Sequence, residues 1–236
     1  MNTMYQDLPR IILFCSAGFM LMPDCLAQDA GPPLRRQTMT AYVKGSMGYN
    51  TYESQTAGAK ETASSSSWTI GTFAGRSRTL GFSFSSSENI VPFSLNGSTM
   101  ASHWQDLKIQ ARMGWFYPIV AATLSDVTIT RNNETAADIY GAAIGGGLGL
   151  HVPLWNRVVV AFETVTFGPP NGGNNQLGKM GQRTDSTVEA SMDLTKEMID
   201  LIVGYQIREF KISTPENEQQ ERQLGAFAGL RLGFYF

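Results

Sequence analysis

The side chains best suited to acid–base chemistry are two histidines, His103 and His151, set far apart in the chain. His103 stands between Ser102 and Trp104. A serine nucleophile activated by histidine needs the ring within hydrogen-bond reach and a third group to orient it. Around His103 there is no His-x-Ser spacing and no clear acid partner, so the sequence nominates no catalytic residue. A zinc site gathers three or four His, Cys or carboxylate ligands. Two distant histidines, with Cys15 and Cys25 as the only cysteines, do not supply one. No metal or other cofactor is expected, and His151 reads as a hydrogen-bonded interior residue.

The charged residues say more. Only 16% of the 236 residues are charged, against 42% hydrophobic, and 24 are glycine. The 18 Lys and Arg nearly balance the 20 Asp and Glu, for a net charge of -2. There is no basic stripe, so no nucleic-acid partner is expected. Lys44, Asp106, Lys108, Arg112, Asp126, Glu163, Glu189, Asp193, Asp200, Arg208 and Arg231 fall within stretches that alternate polar and apolar residues. They are assigned to the polar side of those stretches, lining an enclosed lumen. Buried charges need partners. The first expectation is therefore a salt-bridged interior, and the alternative is a narrow polar pore for ions or small solutes.

The elements that must position these charges are strands, since a period of two places alternate side chains on opposite faces. Ten stretches carry that period: 39–52, 66–75, 78–86, 103–116, 119–130, 138–152, 157–167, 186–195, 199–213 and 223–236. In the fourth, Leu107, Ile109, Ala111, Met113 and Trp115 oppose Asp106, Lys108, Gln110, Arg112 and Gly114. In the last, Ala226, Ala228, Leu230, Leu232, Phe234 and Phe236 oppose Gly229, Arg231, Gly233 and Tyr235. The sixth is rich in glycine, which leaves space in the lumen or lets strands bend sharply.

Upstream, Arg10 precedes an apolar run from Ile11 to Met22, and Cys25-Leu26-Ala27 offers small residues where a signal peptidase reads. The run is shorter than the roughly 20 residues of a helical span. Residues 1–27 are read as a secretory signal peptide, 28–37 as a periplasmic leader and 38–236 as one β domain. Both cysteines leave with the signal.

The connections alternate between short ones, near 76–77, 117–118, 153–156 and 196–198, and long ones, including 53–65, 87–102 and 168–185. Transmembrane barrels show such asymmetry. Trp115, Phe116, Tyr117, Trp155, Phe234, Tyr235 and Phe236 fall near the short turns. Tyr49, Tyr52, Trp68, Trp104 and Phe167 fall near the long loops. Two aromatic belts are expected at two bilayer interfaces. The loop at 168–187 and the acidic 214–222, with Glu216, Glu218 and Glu221, read as solvated connectors. The fold expected is a closed antiparallel transmembrane β-barrel of about ten strands, with eight strands and longer outer loops as the alternative.

The C-terminal segment Gly229–Phe236 resembles the terminal signal of bacterial outer-membrane β-barrels, with Leu230, Leu232, Phe234 and Phe236 at alternate positions. Arg231 stands where that signal usually has glycine. The resemblance is to small porin-like barrels of eight to ten strands, and it singles out no subfamily. It implies export, insertion by the barrel assembly machinery and residence among the lipid and lipopolysaccharide of a Gram-negative outer membrane. The placement of His103 also resembles that in some outer-membrane lipases and lipid A-modifying enzymes. Three functions follow as expectations: a structural or surface-interaction barrel with a charge-lined lumen, a small-solute channel, and a lipid-modifying enzyme.

Overall fold

The structure, a computed structural model, describes residues 39–235 apart from 55–58, 75–79, 94–97, 132–133, 156, 172–177, 196–197 and 214–217. The segments read from the sequence as signal peptide and leader, and Phe236, lie outside the described residues. Ten strands follow one another: β1 (Met39–Ser54), β2 (Ala59–Ala74), β3 (Leu80–Phe93), β4 (Ser98–Ala111), β5 (Phe116–Arg131), β6 (Glu134–Trp155), β7 (Val158–Phe167), β8 (Lys179–Asp193), β9 (Ile199–Ser213) and β10 (Glu218–Tyr235). Each pairs antiparallel with its neighbours in the chain. β10 closes on β1 from Thr40↔Tyr235 to Ser54↔Glu221. The fold is an all-β closed barrel of ten strands, so the eight-stranded alternative does not occur. Closure leaves no strand edge with unpaired backbone groups.

The pattern of long and short connections is corrected. β1 runs to Ser54 and β2 begins at Ala59, β3 reaches Phe93 and β4 begins at Ser98, and β10 begins at Glu218. Most of what reads as long loop is therefore strand. The serine-rich run at Ser64–Ser67 pairs with Tyr49–Ser46 of β1 throughout. A ladder is held by backbone bonds, so it needs no apolar alternation once it leaves apolar surroundings. Only the connection between Phe167 and Lys179 remains long. At the tight connection after β4, Gly114 adopts a φ of 67°. That left-handed conformation costs an L side chain energy and costs glycine none.

The outward face of every strand carries exposed apolar residues at mid-barrel. Val43, Ile70, Phe82, Ile109, Val120, Ile144, Phe162, Val188, Val203 and Leu232 are all exposed on it. The other face fills the interior. Tyr52, Val91, Met100, Trp104, Val127, Ile139, Met180, Phe210 and Ile212 pack together there, close to the end of the barrel remote from the termini. A second cluster of Tyr117, Ile119, Ala121, Ala143, Val165 and Phe167 covers the β5–β7 side.

Four of the aromatic assignments are thereby corrected. Tyr52, Trp104, Tyr117 and Phe167 are interior residues, while Tyr49, Trp68, Trp115, Phe116 and Phe234 are exposed. The glycines of β6 explain part of this. A Cβ on Gly149 would lie 2.1 Å from the Tyr117 ring. The space freed by that glycine is occupied by an aromatic ring, and it does not widen the lumen.

Candidate functional site

Two groups of side chains carry chemistry, one inside the barrel and one on its exterior wall. The inner group is built from odd or even positions of strands whose alternate faces are apolar. Asp106 of β4 meets Arg183 of β8 at 2.6 Å, across the lumen. Arg183 also donates to Thr123 Oγ1 at 3.1 Å and lies 3.3 Å from Asp185. Arg208 of β9 grips Asp185 with two bonds, of 3.0 and 3.1 Å, and reaches Ser87 on β3 at 3.4 Å. Paired guanidinium and carboxylate planes make the strongest of these contacts. The Arg183 guanidinium lies 4.2 Å from the Phe167 ring and 4.6 Å from that of Trp104, and is fully buried.

A second network lies nearer the termini. Glu189 of β8 takes Lys44 of β1 on one oxygen and Arg231 of β10 on the other. Arg231 further bonds Asp200 at 3.2 Å. Lys108 of β4 pairs with Glu163 of β7. Together the two networks hold five cations (Lys44, Lys108, Arg183, Arg208, Arg231) and five carboxylates (Asp106, Glu163, Asp185, Glu189, Asp200). A cavity of about 120 Å³ remains beside them, walled by Ser46, Ser67, Ser85, Ser87, Asn89 and Gln206 among others.

Of the residues assigned to the lumen from sequence, Lys44, Asp106, Lys108, Glu163, Glu189, Asp200, Arg208 and Arg231 enter these networks. Arg112 stacks on the Phe73 ring at 4.2 Å, and Asp193 caps the turn after β8 by accepting from the Thr195 amide at 3.0 Å. Asp126 is a correction. It is exposed and shares its face with Val120 and Leu124, while Ser125 and Val127 are buried inside. Both faces of β5 mix small, polar and branched residues, so alternation alone did not fix which one faced inward. Arg183 and Asp185 were missed because 168–187 reads as a loop. The available signal was the continuation of the Glu189 parity back through Thr187 and Asp185 to Arg183. Glu221 is likewise interior strand and almost fully buried; Glu216 lies outside the described residues. No group of His, Cys, Asp and Glu suited to a metal occurs among the described residues.

The exterior group centres on His103. Its Nε2 lies 2.9 Å from the Oγ of Ser86 on β3. Its direct cross-strand partners are Glu88 on one side and Asp126 on the other. Opposed residues of an antiparallel pair hold their Cβ atoms about 4.5–5.5 Å apart, within reach of short polar side chains. Glu88, Ala101, His103, Asp126 and Thr128 line a shallow depression in the wall. The flanking strands thus bring a serine within hydrogen-bond reach of His103 and set an acid opposite it in register on each side. His151 lies partly buried on the interior face of β6.

No protein-family model and no curated protein sequence matches the chain. Solved structures do. Neisserial surface protein A shares 14% identity, covering 82% of this chain and 97% of that one, with a TM-score of 0.44. The outer-membrane protease OmpT from Escherichia coli shares 8%, covering 87% and 99%, with a TM-score of 0.45. The translocator domain of the autotransporter NalP from Neisseria meningitidis shares 12%, covering 97% and 95%, with a TM-score of 0.44. The structural neighbours of this chain are bacterial outer-membrane β-barrels, and the chain is itself a closed ten-stranded β-barrel.

Proposed function

We propose that the protein is an outer-membrane barrel with a lumen shut to solutes, and that it acts through its surfaces, in a structural or surface-interaction role. The observation that carries this reading is the Asp106–Arg183–Asp185–Arg208 cluster, which ties β4, β8 and β9 together across the lumen. The apolar layer of Tyr52, Met100, Trp104, Phe210 and Ile212 lies on the cluster's side remote from the termini. A hydrated pore would have to break both layers. Buried ion pairs resist this, because removing one partner strands the other charge in low dielectric.

Membrane residence is supported by the exterior apolar band. Exposed apolar surface on this scale is unfavourable in water and matches the lipid-facing band of a transmembrane barrel. The long connection after β7 lies at the end remote from the termini, which makes that end the extracellular one. Leu230, Leu232 and Phe234 face out along the last strand, as an assembly signal read by the barrel assembly machinery would require. Lipid and lipopolysaccharide are then the immediate partners.

Planar-bilayer recording of the purified, folded barrel tests the sealed lumen. The expected trace shows no conductance steps above the bare membrane. Reproducible single-channel steps would overturn the reading in favour of a small-solute channel.

A further inference from the structure

The exterior wall changes character at one level on five adjacent strands. Ile70, Phe84, Leu107, Ala122 and Ile144 form an apolar row in register from β2 to β6. Two pairs nearer the extracellular end, the row reads Ser66, Glu88, His103, Asp126 and Tyr140. Between them runs Trp68, Ser86, Gln105 and Leu124. Charged groups are costly in hydrocarbon and aromatic rings favour its border. Ser86 and His103 therefore stand where apolar surface gives way to polar. That is the depth at which an amphiphile carries the esters joining its acyl chains to its headgroup.

The geometry points to a hydrolytic site for long-chain acyl esters, with Ser86 as nucleophile, His103 as general base and Asp126 as the positioning residue. It rests on the membrane placement proposed above and is independent of whether the lumen conducts. Ser86 is almost fully buried in the wall, and its hydroxyl is 2.9 Å from Nε2. That separation is the hydrogen-bond reach a histidine base needs. Nε2 is engaged on β3, and Asp126 on β5 is the direct register partner of His103 on the opposite side. A carboxylate there fixes the tautomer and stabilises the imidazolium that forms. Gln105, the direct partner of Ser86, offers an amide donor for the oxyanion. Trp68 and Phe84, with ring centroids 5.4 Å apart, form an apolar flank against which an acyl chain packs.

The chemistry closes with water as co-reactant. Ser86 Oγ bonds to the ester carbonyl carbon as His103 takes its proton. The carbon–oxygen bond to the alcohol then breaks, and His103 returns the proton to the leaving oxygen. Water adds to the acyl-serine, again losing a proton to His103, and the fatty acid leaves with Ser86 restored.

The test uses the full-length barrel folded in detergent micelles, with folding followed by heat-modifiable gel migration. One set of micelles contains dipalmitoyl phosphatidylethanolamine and another purified lipopolysaccharide, and released fatty acid is measured by mass spectrometry. Release is expected from one of the two, which identifies the amphiphile. Ser86→Ala and His103→Ala should each reduce it by at least about 100-fold while migrating as folded barrels. Asp126→Asn should lower kcat with KM little changed, and Asp126→Glu should recover part of the loss. Ser191→Ala, at a serine on β8 away from the depression, should match the parent. A fluorophosphonate should add its mass to the peptide holding Ser86. Folded parent protein that releases no fatty acid from either amphiphile overturns the site, as does undiminished release by Ser86→Ala. Failure of the barrel itself would show separately, as migration that heating does not change.

Discussion

At the residue scale, the interior charges matter through pairing. Arg183 has no solvent exposure, and its two terminal nitrogens meet Asp106, Asp185 and Thr123 while its buried Nε has no hydrogen-bond partner. Asp106→Asn removes one of the two carboxylates facing that cation and leaves a buried charge underpaired. It is expected to cost about 3–5 kcal/mol of unfolding free energy, measured by urea titration of the folded barrel in detergent. Asp126→Asn, on the exterior face, should leave the urea midpoint unchanged within error. The two aspartates lie on strands β4 and β5, and the contrast reads out which side of the wall each occupies.

At the scale of the element, β6 shows how small residues serve large neighbours. Tyr117 on β5 lies against Gly149 on β6, its direct pairing partner. Gly149→Ala places a methyl group inside the space of that ring and should destabilise the barrel by about 1–3 kcal/mol through overpacking. Truncating the ring with Tyr117→Ala creates a space that the methyl group fills. A double-mutant cycle should therefore show strong coupling, with the second change costing much less than it does alone. Additive costs would mean that the ring and the glycine do not share that space. The same strand carries exposed Tyr140, Ile144 and Leu148 on its other face, so one element serves the packed interior and the apolar exterior at once.

For the whole molecule, the governing feature is the exterior band and its limits. Exposed pairs such as Lys60–Glu53 and Arg222–Glu209, at 3.0 and 2.9 Å, stand beyond the band toward the end remote from the termini. Val203 lies within it. Val203→Arg is expected to destabilise the folded barrel in lipid vesicles by about 2–4 kcal/mol, whereas Thr62→Arg beyond the band should cost no more than about 1 kcal/mol. Equal costs at the two positions, measured by denaturant unfolding from vesicles, would contradict the band.

Much of this was legible in the chain. The period of two set the strand type and number. It also set the facing of β4, β9 and β10, where charged, polar or small residues alternate with apolar ones over several pairs, with Ile202 and Phe227 as the exceptions. Asp106, Lys108, Asp200, Arg208 and Arg231 could be placed for that reason. Strand length was not legible, because the backbone ladder continues through Ser64–Ser67 with no apolar residue to mark it. The facing of Asp126 was not legible either, since β5 offers both surroundings residues of similar character. Pairing across the lumen was beyond reach of the sequence altogether. Asp106 and Arg183 are distant in the chain and meet only because closure sets β4 opposite β8. Ser86 and His103 meet for a more local reason, the register of the pairing between the consecutive strands β3 and β4. Local pattern is a property of one strand, but register and closure are decided jointly by all ten. The sequence by itself therefore determined that this chain forms strands with one apolar and one polar face. Only the tertiary structure decided which charges neutralise one another inside, and which serine the exterior histidine touches.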